Sequence, residues 1–531
     1  PVTVPLSQLP AVVRSHENLR PRWVWHRTQQ WYPALLRAGV SVERCHDLTL
    51  SRNILAFSSF AAGTEYARST TADSPDETLD PAPPAPAADA LQDSLFDDPA
   101  RADGPGSGEL AAELAAQLAA IRQSTEPRRL ALLVAAESAG ALIAAEMQHR
   151  GLPWSAELHE GILAEYLGPR PAGLLRPDKL EALVSELRIL LNAPGMNPDS
   201  PQELIRALHR AGIEAKTTRQ WELANVEHPA IAPLLEYKKL SRLHAANGWA
   251  WLDAWVADGR FRPEYVVGGV VSGRWASRGG GALQIPRQIR GAAHADPGHK
   301  LIVADAAQLE PRVLIALAQD NRMAEAARDK DLYAGIAAQG FGGERAKAKV
   351  ALLGAMYGAT TGESGRLMPQ LARTYPQAVG FVEAAARAGE RGGTVTTRLG
   401  RSTPPPSEGY LATQRSTTAE EQRRAENAAR TRGRFTRNFV VQGSAADWAA
   451  CWLAEVRRRL RALAADGPGP HAELVFFLHD EVMVHCPEPL VERVSLIVEE
   501  SAAAATELLF GRIPIAFPVA TVVVDSYDQA K

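Results

Sequence analysis

The stretch Leu301-Ile-Val-Ala-Asp-Ala-Ala-Gln-Leu-Glu-Pro-Arg312 decides how the rest of the chain is read. Residues 301–304 are uniformly apolar and carry a β-branched pair. The run is too short for a helix of domain length, so it predicts a buried strand. Residues 308–317 then carry helical spacing. Asp305 therefore stands at the mouth of a sheet, where a rigid frame can hold a ligand or a metal. An Asp at such a junction can equally be a plain helix cap.

A second run favours the first reading. Leu474-Val-Phe-Phe-Leu-His-Asp-Glu-Val-Met-Val-His485 predicts strand, tight turn, strand, with His479, Asp480 and Glu481 in the turn. Two strands that each end in an acid are the minimum frame for a two-metal centre acting on phosphates. A third run, Arg345-Ala-Lys-Ala-Lys-Val-Ala-Leu-Leu-Gly-Ala-Met-Tyr-Gly358, predicts a helix. Arg345, Lys349, Leu353 and Tyr357 recur every four residues on it and share one face. Like charges four residues apart are unfavourable on an isolated helix, so this face invites an anionic partner.

The three runs resemble motifs A, B and C of the family A (DNA polymerase I-like) DNA polymerases. Motif A there is typically Asp-Tyr-Ser-Gln-Ile-Glu-Leu-Arg, and here it reads Asp305-Ala-Ala-Gln-Leu-Glu-Pro-Arg312. Arg345, Lys349, Leu353, Gly354, Tyr357 and Gly358 occupy motif B, and His479-Asp-Glu481 follows an apolar strand as motif C does. Two further signatures fall in the same order. They are Ser272-Gly-Arg274 with Leu283-Gln-Ile-Pro286, and Arg434-x3-Asn438-x3-Gln442-Gly-Ser-Ala-Ala-Asp447.

The resemblance implies a mixed α+β, right-hand polymerase fold. An antiparallel palm sheet would carry mostly helical fingers and thumb, preceded by a ribonuclease H-like, exonuclease-type α/β domain. The implied division is 1–152 for the exonuclease-like domain, 153–262 for the thumb, 263–320 with 434–531 for the palm, and 321–433 for the fingers. Residues 70–108 are acidic, Pro-rich and of low complexity, and they predict a mobile loop.

The implied activity is template-directed addition of deoxynucleotides to a primer 3′ end. Asp305 and Asp480 would hold two Mg²⁺ ions, with Mn²⁺ as a substitute, and Glu481 and Lys349 would join them as catalytic residues. Arg345 and Lys349 would meet the triphosphate. Gln308, Leu353 and His479 would complete the nucleotide pocket, with His479 also near the primer strand and Tyr357 near the templating position. Glu310 would act as a sugar gate that excludes a 2′-hydroxyl. Arg274, Gln284, Arg434, Asn438, Gln442 and Lys239 would contact primer-template DNA. Lys238, Arg242 and His244 lie on the same stretch as Lys239, and Arg401 with Arg423, Arg424, Arg430, Arg432 and Arg434 would form a template rim. Ala306, Ala307 and Pro311 replace the usual Tyr, Ser and Leu. Leu353 replaces an aromatic that packs on the nucleotide, so weaker nucleotide binding is expected.

The N-terminal region departs further. Its counterpart in the family holds two metals with acids from three motifs. The first 40 residues here contain no Asp-x-Glu pair. The second-motif Asp falls near Trp31 or Tyr32, the third near Glu137, and Asp47 alone matches a helix-starting aspartate. The expectation is an inactive exonuclease that serves as a structural buttress.

Composition sets the outer bounds. A chain of 531 residues is too long for one core, and a net charge of −3 excludes a bulk polycation, so any nucleic-acid surface is a local patch. Cys45, Cys451 and Cys486 form no disulfide or zinc pattern, which suits a reducing cytosol. No apolar run looks long enough to span a membrane, and no signal peptide is seen. The expectation is a monomeric, cytoplasmic, nucleoid-associated bacterial protein with a trimmed N-terminus, since Pro1 is not an initiating residue. Gap-filling repair is expected from the lack of proofreading and of a 5′-nuclease domain. Two other readings stay open: a polymerase-fold protein that has lost catalysis and only binds primer-template DNA, and a family A enzyme of RNA type. Glu310 argues for DNA.

Overall fold

The structure is a computed structural model that describes residues 4–70, 106–173, 175–224, 226–278, 285–328, 331–359, 362–415, 418–465 and 471–530. Gln284 and most of the predicted 70–108 loop lie outside the described residues. The strands, in chain order, are β1 (Arg22–Trp25), β2 (Arg44–Asp47), β3 (Leu152–Pro153), β4 (Val256–Ala257), β5 (Arg260–Phe261), β6 (Glu264–Val266), β7 (Ala276–Arg278), β8 (His299–Ala306), β9 (Glu473–Leu478), β10 (Glu481–Pro487) and β11 (Val519–Val524). The chain divides into two compact units. One is Pro1–Gly151 with Pro263–Gly279 and Pro297–Val524. The other is Leu152–Arg262 with Gly280–Asp296 and Asp525–Lys531.

The first unit is built on a four-stranded antiparallel sheet in the order β11-β8-β10-β9. The apolar run at 301–304 forms its centre, fully buried from Leu301 to Ala304, as does Phe476 of β9. Continuous burial explains why these strands are apolar throughout rather than alternating. Helices Pro127–Arg150 and Val491–Phe510 pack on the sheet, and helix Ala419–Ala465 packs on both of them. This last helix has 47 residues, runs through position 434, and at 1.5 Å per residue is about 70 Å long. The β6–β7 hairpin is pinned to the sheet by the aromatic contact of Trp275 with Phe477 and by the Phe477 N–H donating to the Tyr265 hydroxyl.

Helix Pro127–Arg150 corrects one expectation. It is long and apolar enough to cross a membrane by length and composition, yet 72% of its most apolar window is buried inside the protein. Its apolarity comes from being a core helix covered on several sides. At Gly140 an added Cβ would lie 3.2 Å from the Trp275 ring.

In the N-terminal region β1 and β2 pair in parallel over a core of Trp25, Tyr32, Leu35, Val42 and Leu142. Helix Thr28–Arg37 follows β1, and helix Leu48–Phe57 follows β2 with Asp47 as its cap.

The second unit is mostly helical, with a small β3-β5-β4 sheet. It contains helices Ala156–Leu167, Asp178–Leu190 and Pro201–Arg210, and Ser155 and Ser200 cap two of them. The stretch 228–255 holds two helices, Ile231–Asn247 and Trp249–Trp255. Gly248 breaks it with an extended backbone, and a Cβ there would lie 2.3 Å from the His244 carbonyl oxygen.

Candidate active site

Asp305 and Asp480 are brought to neighbouring strand ends by register. Asp305 pairs with Glu481 across β8 and β10, and the Ala306 N–H donates to the Asp480 carbonyl at 2.8 Å. The turn that presents Asp480 is tight. The Asp480 N–H reaches back to the Leu478 carbonyl at 2.7 Å, with His479 at φ +58° between them. That is a γ-turn with positive φ at its centre, a rare and strained geometry. Glu481, expected in the turn, is instead the first residue of β10 and is buried, because the turn uses only two residues. Burial first, and the Asp305 charge second, push the Asp480 carboxyl up to about 6. Burial and the nearby Arg274 charge lower the His479 imidazole.

Opposite this pair stands helix Leu309–Ala318, entered through Gln308 at φ +56°. Glu310, in its first turn, is nearly buried and accepts from both Arg274 and Tyr357. Pro311 sits in the same turn, where a missing N–H costs no intrahelical bond. Helix Arg345–Tyr357 carries the basic face as expected, with Arg345 and Lys349 exposed, Leu353 half-buried and Tyr357 at its end. Burial and Glu310 push the Tyr357 phenol well above its ordinary range. Acids, cations, Arg274 and the buried glutamate thus converge on one surface of the first unit.

Comparisons with known proteins bear on this arrangement. The family profile described as DNA polymerase family A matches residues 177–523, more than half of the chain. The chain belongs to DNA polymerase family A. Among curated relatives it is 25% identical over 365 residues to the thermostable DNA polymerase I of Thermus filiformis, covering 63% of this chain and 40% of that protein. It is 27% identical over 306 residues to DNA polymerase I of Chloroflexus aurantiacus, covering 51% and 30%. The chain therefore spans less than half the length of these relatives. Its fold resembles the POL domain of Pol1 from M. smegmatis, solved in complex with DNA primer-template and dNTP. The TM-score there is 0.64 at 21% identity, covering 79% of this chain and 74% of that one.

As a family A member the chain calls for a divalent metal, and its residues fit one. Among the described residues no group of three or more His, Cys, Asp or Glu gathers in metal-binding array. Two carboxylates do adjoin, and burial together with the Asp305 charge raises the Asp480 carboxyl. Mg²⁺ is commonly held by one or two carboxylates together with substrate phosphates rather than by a full protein cage, so a pair suits it.

Motif reading missed two residues of this surface. Asp331 accepts from Arg345 Nε at 2.6 Å and from Gln308 Nε2 at 3.0 Å, and it caps helix Leu332–Gly340. Tyr333 lies beneath Arg345 and Lys349, with its ring centroid 5.5 and 5.9 Å from the two cations. The cap pattern at Asp331 was visible locally, whereas its reach to Arg345 was not. Arg312 proves to be a buried strut that donates to the Ala307, Ala327 and Ala516 carbonyls.

The expected DNA contacts divide. Arg434, Asn438 and Gln442 follow at four-residue spacing along the less buried face of helix Ala419–Ala465. Arg434 also approaches Gly358, where a Cβ would lie 2.9 Å from its Cγ. Lys239 belongs to the second unit, pairing with Glu236 at 3.5 Å and lying over the Tyr166 ring. Lys238 is turned inward onto Thr218. The rim expectation needs correcting at two positions. Arg401 is buried between Glu137 and Asp447, and Arg432 donates to the Gly393 and Pro404 carbonyls beside the Tyr410 ring. Both arginines satisfy groups inside the fold, because the chain returns polar partners to them that linear spacing does not reveal.

In the N-terminal region each candidate metal-binding position has an internal task. Asp47 accepts from the Thr28 N–H, the Thr28 hydroxyl and the Leu50 N–H at 2.7, 2.8 and 3.0 Å. Tyr32 donates to Glu146, and Glu137 pairs with Arg401.

Proposed function

We propose that this chain is a DNA-directed DNA polymerase that extends a primer 3′ end with deoxynucleotides. The observation that carries the reading is the convergence of Asp305 and Asp480 with the Arg345–Lys349 face and with Glu310, gripped by Arg274 and Tyr357. Primer-template DNA and dNTPs are the proposed partners, in line with the contents of the M. smegmatis complex. The division into exonuclease-like, thumb, palm and fingers regions, the monomeric state and the cytoplasmic location belong to the same reading.

Asp305 and Asp480 would hold two Mg²⁺ ions, which when bound supply positive charge at the primer hydroxyl and the triphosphate. Arg345 and Lys349 bind the triphosphate and offset its charge; Arg345 exchanges Asp331 for phosphate oxygens as it does so. Glu310 cannot swing away without breaking two charge-assisted bonds, so it holds its ground against a ribose 2′-hydroxyl. Arg274 and the Arg434–Asn438–Gln442 face orient the duplex. The protein's contribution is mainly position and charge. The N-terminal region is proposed to lack proofreading, since Asp47 and Glu137 are engaged inside the fold. Gap-filling repair is the proposed setting.

The test is primer extension on a primed DNA template with Mg²⁺ and dNTPs, with Asp305→Ala as control and a lane without dNTPs. Extension by wild type alone, with an intact primer in the blank lane, supports polymerase without proofreading. Tight primer-template binding without extension would replace the reading by a DNA-binding one. Primer shortening in the blank lane would show an active exonuclease.

A further inference from the structure

The hairpin that carries Arg274 is held from behind. The Gly273 N–H donates to the Val270 carbonyl at 2.7 Å, and the Val270 N–H donates to the Arg274 carbonyl at 3.1 Å. With Gly273 at φ +86°, this is a three-residue hairpin loop closed by a glycine bulge. The space beside Gly273 is filled by Arg401: a Cβ there would lie 2.3 Å from Nε and 2.5 Å from Cζ.

Arg401 is itself fixed on both sides. Its Nη2 meets Glu137 Oε2 at 2.8 Å and its Nε meets Asp447 Oδ1 at 3.2 Å. The other Asp447 oxygen accepts from the Thr397 hydroxyl at 2.6 Å, and that hydroxyl accepts from the Arg401 N–H at 3.1 Å. All three charged side chains are buried, so loss of Arg401 leaves two carboxylates uncompensated, and loss of either acid leaves Arg401 held from one side only. Gly443, on the helix that bears Asp447, closes the cradle: a Cβ there would lie 3.2 Å from the Ser272 carbonyl oxygen.

We propose that Arg401 is a positioning residue for the nucleotide site, fixing the 270–274 hairpin so that Arg274 meets Glu310, with Glu137 of the N-terminal region as its anchor. The proposal rests on the polymerase reading above. The strut runs Glu137, Arg401, Gly273, Arg274, Glu310.

The test is single-nucleotide insertion kinetics on wild type, Arg401→Lys, Glu137→Gln, Arg274→Ala and the two double variants with Arg274→Ala. Each is checked for a native thermal transition. Lysine keeps the charge and loses the planar fork, and glutamine keeps the shape of Glu137. Arg401→Lys should lower kcat/KM for dNTP about tenfold, and Glu137→Gln about threefold. Both effects should shrink to under about twofold once Arg274 is alanine, because residues acting through one another are not additive. Equal effects in both backgrounds would overturn the proposal and leave Arg401 a general support of the fold. If Arg401→Lys does not fold, the Glu137→Gln and Arg274→Ala cycle decides in the same way. Wild type that extends no primer would refute the polymerase reading and take this proposal with it, an outcome distinct from additivity.

Discussion

Replacing Tyr357 by Phe removes one hydrogen bond and nothing else of consequence. The Tyr357 hydroxyl donates to Glu310, whose other partner is Arg274. A hydrogen bond to a charged acceptor contributes about 1.5–3 kcal/mol. Two features of the site reduce that figure here. Tyr357 is 42% exposed, so water can replace the lost donor, and Arg274 still holds the carboxylate. A loss of about 1 kcal/mol remains, which corresponds to about fivefold. If Glu310 excludes the ribose 2′-hydroxyl, the loss falls on discrimination, because a loosened carboxylate yields to the extra oxygen. The assay is single-nucleotide insertion, measuring kcat/KM for a dNTP and for the matching rNTP. The deoxy-to-ribo ratio should drop about fivefold in Tyr357→Phe, with the larger change in the rNTP arm. A ratio unchanged within error would refute the reasoning that the Tyr357 bond restrains the gate.

Three further outcomes follow from the geometry. Leu353→Phe places an aromatic on the helix face proposed to meet the nucleotide, and stacking of about 0.5–1.5 kcal/mol should lower the dNTP KM about two- to tenfold; an unchanged KM would mean the position does not touch the nucleotide. Asp331→Asn keeps the helix cap but frees Arg345 from a half-exposed ion pair worth under about 1 kcal/mol, so the dNTP KM should fall up to about fivefold; a rise would show that Asp331 aims Arg345 productively. The third concerns pH. His159 is buried, donates through Nε2 to the Asn247 carbonyl and accepts the Trp154 indole N–H at Nδ1, so only the neutral ring fits. Burial lowers its pKa from 6.5 to about 4. The folded pKa lies below the unfolded one, so this contribution is complete above about pH 6.5 and is lost as pH falls toward 4, by on the order of 3 kcal/mol. Thermal melts of wild type from pH 7.5 to 4.5 should therefore show a fall in Tm that His159→Phe lacks; parallel profiles would rule His159 out as its source.

Much of the site was legible in the sequence because its signals are local. Four apolar residues before Asp305 and an apolar strand before His479 predict strands, and burial on both sides of the sheet makes such runs reliable. Spacing of four put Arg345, Lys349, Leu353 and Tyr357 on one helix face, since a helix turns every 3.6 residues. The Gly248 break was less legible, because a lone glycine within a helical pattern is usually tolerated. Here its extended backbone, and the His244 carbonyl where a Cβ would stand, end the helix.

What the sequence alone determined is which residue types stand at strand ends, on one helix face and at caps, because these depend on backbone period and neighbours a few positions away. Only the tertiary structure decided which charges are spent on the fold and which face outward. Arg401 reads like any surface arginine of a basic run, yet its partner Glu137 lies 264 residues away and Asp447 lies 46 away. Arg345 and Asp331, 14 apart, meet only because two helices bring them together. A charge attracts whatever the chain path delivers, and a desolvated one must be paired, so ion-pair partners follow topology and leave no mark in local periodicity.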